Sequence, residues 1–147
     1  MSKGKFDIIV VGGGHAGVEA ALISSFLGVS VALVTMDKNA IARMSCNPAI
    51  GGLAKGQIVR EMDVLGGIMA ETADISGLQF KILNKSKGRA VWSPRAQIDK
   101  RVYEKNVLKK IGKSPVTIIQ SEATSIDIQN YEVKSVLLRS GEKINCS

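Results

Sequence analysis

Few side chains in this 147-residue sequence can do covalent chemistry, and the strongest candidate is Cys46. It lies in Met44-Ser45-Cys46-Asn47-Pro48, where Pro48 drives the preceding residue out of the α region, so the stretch begins as a loop. Gly51-Gly52 follow and open a helix. A thiol ahead of a helix start, with Arg43 and Lys55 close in sequence, has surroundings that favour the nucleophilic thiolate. The plainer reading is a small buried hydrophobe. His15 is the sole histidine and sits inside a glycine run, so it can neither complete a Ser/His/Asp arrangement nor anchor a metal constellation; no metal site is expected. Cys46 and Cys146 stand too far apart in sequence to suggest a disulfide framework.

The second chemical signal is non-covalent. Phe6-Asp7-Ile8-Ile9-Val10-Val11 runs into Gly12-Gly13-Gly14-His15-Ala16-Gly17, a Gly-x-Gly-x-x-Gly turn between an apolar run and the helix-like Val18-Glu19-Ala20-Ala21-Leu22-Ile23. Gly12 permits the tight turn, Gly14 lets a pyrophosphate approach the backbone, and Gly17 removes a side chain where helix and strand pack. The helix N-terminus then faces an anion. About 20 residues past such glycines, an acidic residue usually meets a ribose. Here the second strand, 29–35, ends on Thr35, with Asp37 two places on, and either could contact the sugar. The glycine pair Gly51-Gly52, at a helix start, is a second place for backbone N–H groups to meet a phosphate or the edge of a planar cofactor.

These candidates need a scaffold of alternating strands and helices. The pattern predicts helices over 53–65, around 69–74 and over 95–111, with a strand over 78–83. In the last helix, Ile98, Val102, Tyr103, Val107, Leu108 and Ile111 form the apolar stripe. A third parallel strand is expected over 116–119. Runs at 123–128, 133–138 and 143–145 read as an antiparallel meander with turns at Asn130-Tyr131 and Ser140-Gly141. Fold class is thus α/β.

Composition narrows the class further. Apolar residues at 45% fit one globular domain, and aromatics at only 4% leave its core to Ile, Val, Leu, Ala and Met. No run reaches the roughly 20 apolar residues of a membrane span, and the N-terminus lacks a signal-peptide apolar region, which points to a cytoplasmic protein without a membrane role. The net charge of +7 favours an anionic partner. Lys81, Lys85, Lys87, Arg89 and Arg95, interleaved with Trp92, could contact phosphates and stack a base; a solvated lysine-rich face is the alternative.

Taken together, Gly12 through Ala21, Met44 through Gly52, Ser86-Lys87-Gly88 and Arg95-Ala96-Gln97-Ile98-Asp99 occur in the order seen in one family. The sequence resembles the N-terminal part of the FAD-dependent tRNA uridine 5-carboxymethylaminomethyl modification enzymes, the MnmG or GidA family. The block Ser45 through Gly52 is the most specific part of the match. Arg89 departs from the family, which typically has proline after Ser-Lys-Gly.

The resemblance implies a Rossmann-like FAD-binding fold of glutathione-reductase type, with 1–147 as the truncated N-terminal part of a single FAD-binding domain. It implies that Gly12, Gly13, Gly14, His15, Ala16 and Gly17 hold the FAD pyrophosphate and that Ala123 lies by the adenine. It makes Cys46 the thiol that attacks uridine C6. It further implies methylenetetrahydrofolate as methylene donor, NADH as reductant, tRNA as substrate, a GTPase partner (MnmE) and a homodimer in the longer parent. The chain is much shorter than that family's members and is expected to be inactive alone and weak or incomplete in FAD binding. The competing readings are an FAD-dependent oxidoreductase of a small molecule, a related folate- and FAD-dependent tRNA uridine methyltransferase, and a non-catalytic nucleotide- or RNA-binding module.

Overall fold

A computed structural model describes residues 5–44 and 47–147, which divide into two compact units. The first comprises the residues up to Ala42 together with Lys110–Ser147; the second is Arg43–Lys109.

The first unit is built on a parallel sheet. Strand β1 (Ile8–Val11), helix α1 (His15–Phe26) and strand β2 (Val31–Thr35) follow one another, and β6 (Thr117–Gln120) joins the far side of β2. Ile8 pairs with Val31 and Ala32 with Thr117, so β2 is the central strand of the three. Its five residues, Val-Ala-Leu-Val-Thr, are all buried, as expected for a parallel strand covered on both faces. Helix α1 buries Val18, Ala21, Leu22 and Ser25, an i, i+3, i+4, i+7 face. Asp7 fixes the entry to β1: its carboxylate accepts hydrogen bonds from both the backbone N–H and the hydroxyl of Ser30, at 2.7 Å each. These bonds to Ser30, the side-chain one foremost, hold the Asp7 carboxyl below its ordinary value.

An antiparallel meander follows β6: β7 (Ala123–Gln129), β8 (Glu132–Leu138) and β9 (Lys143–Asn145). Asn130 and Tyr131 make the β7–β8 turn with positive φ of 52° and 64°. Ala32, Val34, Ile119, Leu138 and Ile144 form one buried cluster, joining β2, β6, β8 and β9. The parallel sheet, its helix and the meander therefore agree with the expected Rossmann-like α/β class.

The second unit contains β3 (Ala49–Gly51), α2 (Lys55–Val64), α3 (Met69–Ser76), β4 (Gly77–Leu83) and β5 (Ser93–Ile98), followed by α4 (Lys100–Gly112), which continues past the unit's end. The three strands form an antiparallel sheet in the order β3-β5-β4. Here the sequence expectation fails: residues 95–98 are strand, not the start of a helix. Arg95, Ala96 and Gln97 are paired on both sides, to Gly51, Ile50 and Ala49 in β3 and to Lys81, Phe80 and Gln79 in β4. The helix begins only after Asp99, whose Oδ1 accepts from the N–H groups of Arg101 and Val102 at 2.9 and 3.0 Å, an N-cap. Its buried stripe is narrower than expected: Tyr103, Val107 and Ile111 are buried, whereas Val102 is 40% exposed. Pro94 is tolerated in the central strand because β3 pairs no further than Arg95, so its missing N–H leaves no gap. At Arg89 the chain forms a short 3-10 turn (Arg89–Val91). Proline suits the first position of such a turn but is not required there, so arginine is accommodated.

Candidate cofactor and nucleotide site

The glycine turn sits where the pattern placed it, between β1 and α1. Gly12 adopts a φ of 108°, a conformation that disfavours any side chain. Its N–H donates to the Val34 carbonyl at 2.8 Å, extending the β1–β2 ladder by one residue. Gly17, in the first turn of α1, has the opposite constraint: a Cβ there would lie 1.9 Å from the Gly12 carbonyl oxygen. Close helix–turn packing thus excludes any larger residue. Gly13 is pressed against the neighbouring strand end, since a Cβ would come within 2.8 Å of Thr35 Oγ1. Gly14 is the N-cap, and a Cβ there would meet no atom within 4 Å. Helix α1 starts with no capping side chain and no acid in its first turn, so its own residues leave the first N–H groups and the positive end of the helix unanswered.

This turn opens onto a groove of about 460 Å3 lined by Gly12, Gly13, Gly14, Thr35, Asp37 and Ala123, among others. The groove lies at the carboxyl ends of all three parallel strands, the position where open α/β sheets take ligands. Its volume is within the range of about 300–1,000 Å3 for small-molecule pockets. His15, Ala16 and Gly17 form the adjoining first turn of α1. Thr35 and Asp37 both line the groove, but each already has a local role. The Thr35 hydroxyl donates to the Asp37 carbonyl at 3.3 Å, and Asp37 Oδ1 caps the following 3-10 turn through the Asn39 N–H at 2.8 Å. Sequence reasoning missed Ser121 and Glu122, which also line the groove. The Ser121 N–H donates to the Thr35 carbonyl at 2.9 Å. The carboxyl-end rule, applied after the third strand, was the available signal.

Gly51 and Gly52 lie in the second unit and have positive φ of 94° and 95°. The structure gives Gly51 a packing reason of its own: a Cβ would lie 2.2 Å from the Pro94 carbonyl oxygen, which also accepts the Gly52 N–H at 2.8 Å. Helix α2 starts at Lys55, with Ala54 as an N-cap that has no capping side chain, and Lys55 Nζ donates to the Ala49 carbonyl at 3.2 Å. Cys46 falls outside the described residues. Among the described residues no group of His, Cys, Asp and Glu is placed to hold a metal ion, and no helix is long and apolar enough to cross a membrane.

Comparison with known proteins adds identity to this geometry. The sequence profile of the family described as glucose inhibited division protein A matches residues 7–147. A tRNA uridine 5-carboxymethylaminomethyl modification enzyme MnmG of Chlorobium phaeobacteroides is 51% identical over 140 residues, which is 95% of this chain and 22% of that protein. The enzyme of the same name from Protochlamydia amoebophila is 46% identical, with 97% and 23% of the two chains covered. This chain thus spans less than a quarter of the length of these relatives. Among solved structures, Aquifex aeolicus GidA superimposes with a TM-score of 0.92 at 45% identity, over 97% of this chain and 24% of that one. A glycine oxidase from Bacillus cereus, at 18% identity and a TM-score of 0.64 over 97% of this chain and 55% of its own, shares the fold alone. With a family profile matched from Asp7 to the last residue and the superposition on GidA, the chain belongs to the glucose inhibited division protein A family.

Proposed function

We propose that this chain is the N-terminal FAD-binding portion of a tRNA-modifying enzyme that elaborates C5 of the wobble uridine, and that both units belong to one FAD-binding domain. The observation that carries the reading is the groove at the strand ends, with the Gly12–Gly17 turn and a helix N-terminus without a side-chain cap on one side and Thr35, Asp37 and Ala123 on the other. Those residues suit the adenosine-diphosphate part of FAD. The backbone of the glycine turn and the first turn of α1 would take the pyrophosphate. Thr35 or Asp37 would meet the ribose, and Ala123 would leave room beside the adenine. Gly51 and Gly52 would approach the flavin part. When bound, FAD supplies the redox chemistry that no side chain of this sequence can.

Support for the substrate comes from relatives about half identical to this chain, whose names describe modification of tRNA uridine. In this reading the Cys46 thiolate adds to uridine C6, which makes C5 nucleophilic. The same resemblance assigns methylenetetrahydrofolate and NADH as co-substrates, the GTPase MnmE as partner, a homodimer and a cytoplasmic location to the longer protein. The fragment by itself would not modify tRNA.

The deciding experiment is to titrate the purified chain with FAD and remove free flavin by gel filtration. Co-eluting flavin absorbance, at partial occupancy, is the expected result. A colourless protein peak at saturating FAD would overturn the reading for this chain.

A further inference from the structure

A second cavity, of about 770 Å3, lies wholly within the second unit between α2, α3 and the β3–β5–β4 sheet. Its floor is apolar, with Ile50, Val59, Ala73, Ile82 and Pro94. Its strand side carries Lys81, Lys85 and Arg95, and its helix side Arg60, Asp63 and Asp74. Lys81 and Arg95 are direct partners across β4 and β5, an arrangement that costs stability because like charges face each other. Among the described residues neither has a carboxylate partner. An anion placed there would relieve that repulsion.

Phe80, 60% exposed, lines the same cavity from the face of the edge strand β4 opposite to Lys81, since successive strand residues alternate faces. Its ring rests over Gly77, where a Cβ would come within 2.3 Å of Phe80 Cζ, so the chain keeps that position small to seat the ring. Farther along the same hairpin, the Arg89 guanidinium lies 5.8 Å from the Trp92 ring centroid, and the Trp92 indole N–H donates to the Lys85 carbonyl at 3.3 Å. Cations that follow a backbone, interleaved with exposed aromatic faces, are the physical signature of a single-stranded nucleic-acid surface. The charge distribution agrees: residues 43–109 carry twelve Lys and Arg against six Asp and Glu, so +6 of the total +7 falls in this unit.

We infer that this cavity is a nucleotide subsite for single-stranded RNA, separate from the glycine-turn groove. The RNA crosses the edge strand β4: a base stacks on Phe80 on one face, Lys81 and Arg95 on the other face and Lys85 past the strand end take the adjoining phosphates, and Asp63 and Asp74 accept hydrogen bonds from amino or imino groups of the base edge. The inference rests on the tRNA reading above and names where on this chain the RNA lies.

The test is fluorescence anisotropy of a labelled single-stranded RNA dodecamer with the whole 147-residue chain over a range of salt. The double variant Lys81→Gln/Arg95→Gln should weaken binding about tenfold and flatten the log–log salt slope by about 1.4, at about 0.7 per lost phosphate contact. Phe80→Ala should weaken binding about tenfold with the slope unchanged. Lys105→Gln/Lys109→Gln, which removes equal charge from the exposed side of α4, should shift affinity no more than about twofold. Because Lys81 and Arg95 repel, their double variant should not lose thermal stability. Equal weakening by both double variants, absence of RNA binding, or full displacement of the RNA by AMP would each overturn the proposal; the last would assign the cavity to free nucleotides. FAD retention by the same variants separates the two readings. In the variants, RNA binding weakened with flavin retained supports the subsite; in the parent chain, no RNA binding with flavin retained sinks the subsite alone, whereas no flavin sinks the cofactor reading.

Discussion

Gly17 is required by a single distance. With the Gly12 carbonyl oxygen 1.9 Å from its would-be Cβ, Gly17→Ala must push the helix away from the turn. We expect about 1–3 kcal/mol of destabilisation, the cost of overpacking a closed contact, together with loss of flavin co-elution. A thermal melt and the gel-filtration assay check both; an unchanged melting temperature would show that the turn relaxes freely. Asp7 acts through protonation. Its lowered carboxyl pKa means that the bonds to Ser30 contribute stability above the unfolded carboxylate value, and that this is lost as pH falls through the lower folded value. Asp7→Asn should therefore be less stable than the parent at neutral pH, with the gap closing in acid. Urea midpoints across that range test the sign.

Elements show where local pattern was sufficient and where it was not. Strands β1 and β2 and helix α1 were legible because apolar runs, the glycine spacing and a helix-favouring composition all agree. Residues 95–98 were not. Arg95-Ala96-Gln97-Ile98 has helix-compatible residues, and its strand character comes from pairing with β3 and β4, which a single segment cannot reveal. Asp99 was the missed boundary, since an aspartate capping the second and third residues beyond it is a helix start. Asp99→Ala should lower stability by about 1 kcal/mol, and a guanidinium melt followed by helical circular dichroism will measure it. No change would mean that tertiary contacts alone set the start of α4.

At the scale of the molecule, the open edges matter most. Strand β1 pairs with β2 on one side; on its other side the described residues provide only the Phe6–Cys146 bridge. Ile8 and Val11 remain 37% and 55% exposed on this apolar strand. Unpaired strand edges template association with other chains, and an edge lysine blunts them. Light scattering should show concentration-dependent self-association of this chain, reduced in Ile8→Lys without loss of far-ultraviolet circular dichroism. Association unchanged by that substitution would place the sticky surface elsewhere, with the exposed edge strand β4 as the next surface to test.

The sequence by itself determined the α/β class, the glycine turn, the meander and the family, because each rests on contiguous residues whose spacing carries its own physical reason. Only the tertiary structure decided what those residues face. It brought Ala123 to the mouth of the Gly12–Gly14 turn across more than a hundred positions, beside Thr35 and Asp37. It showed Gly51 held by the Pro94 carbonyl, and it set Lys81 against Arg95. Such juxtapositions follow from strand register, a long-range property that no local pattern of side chains encodes.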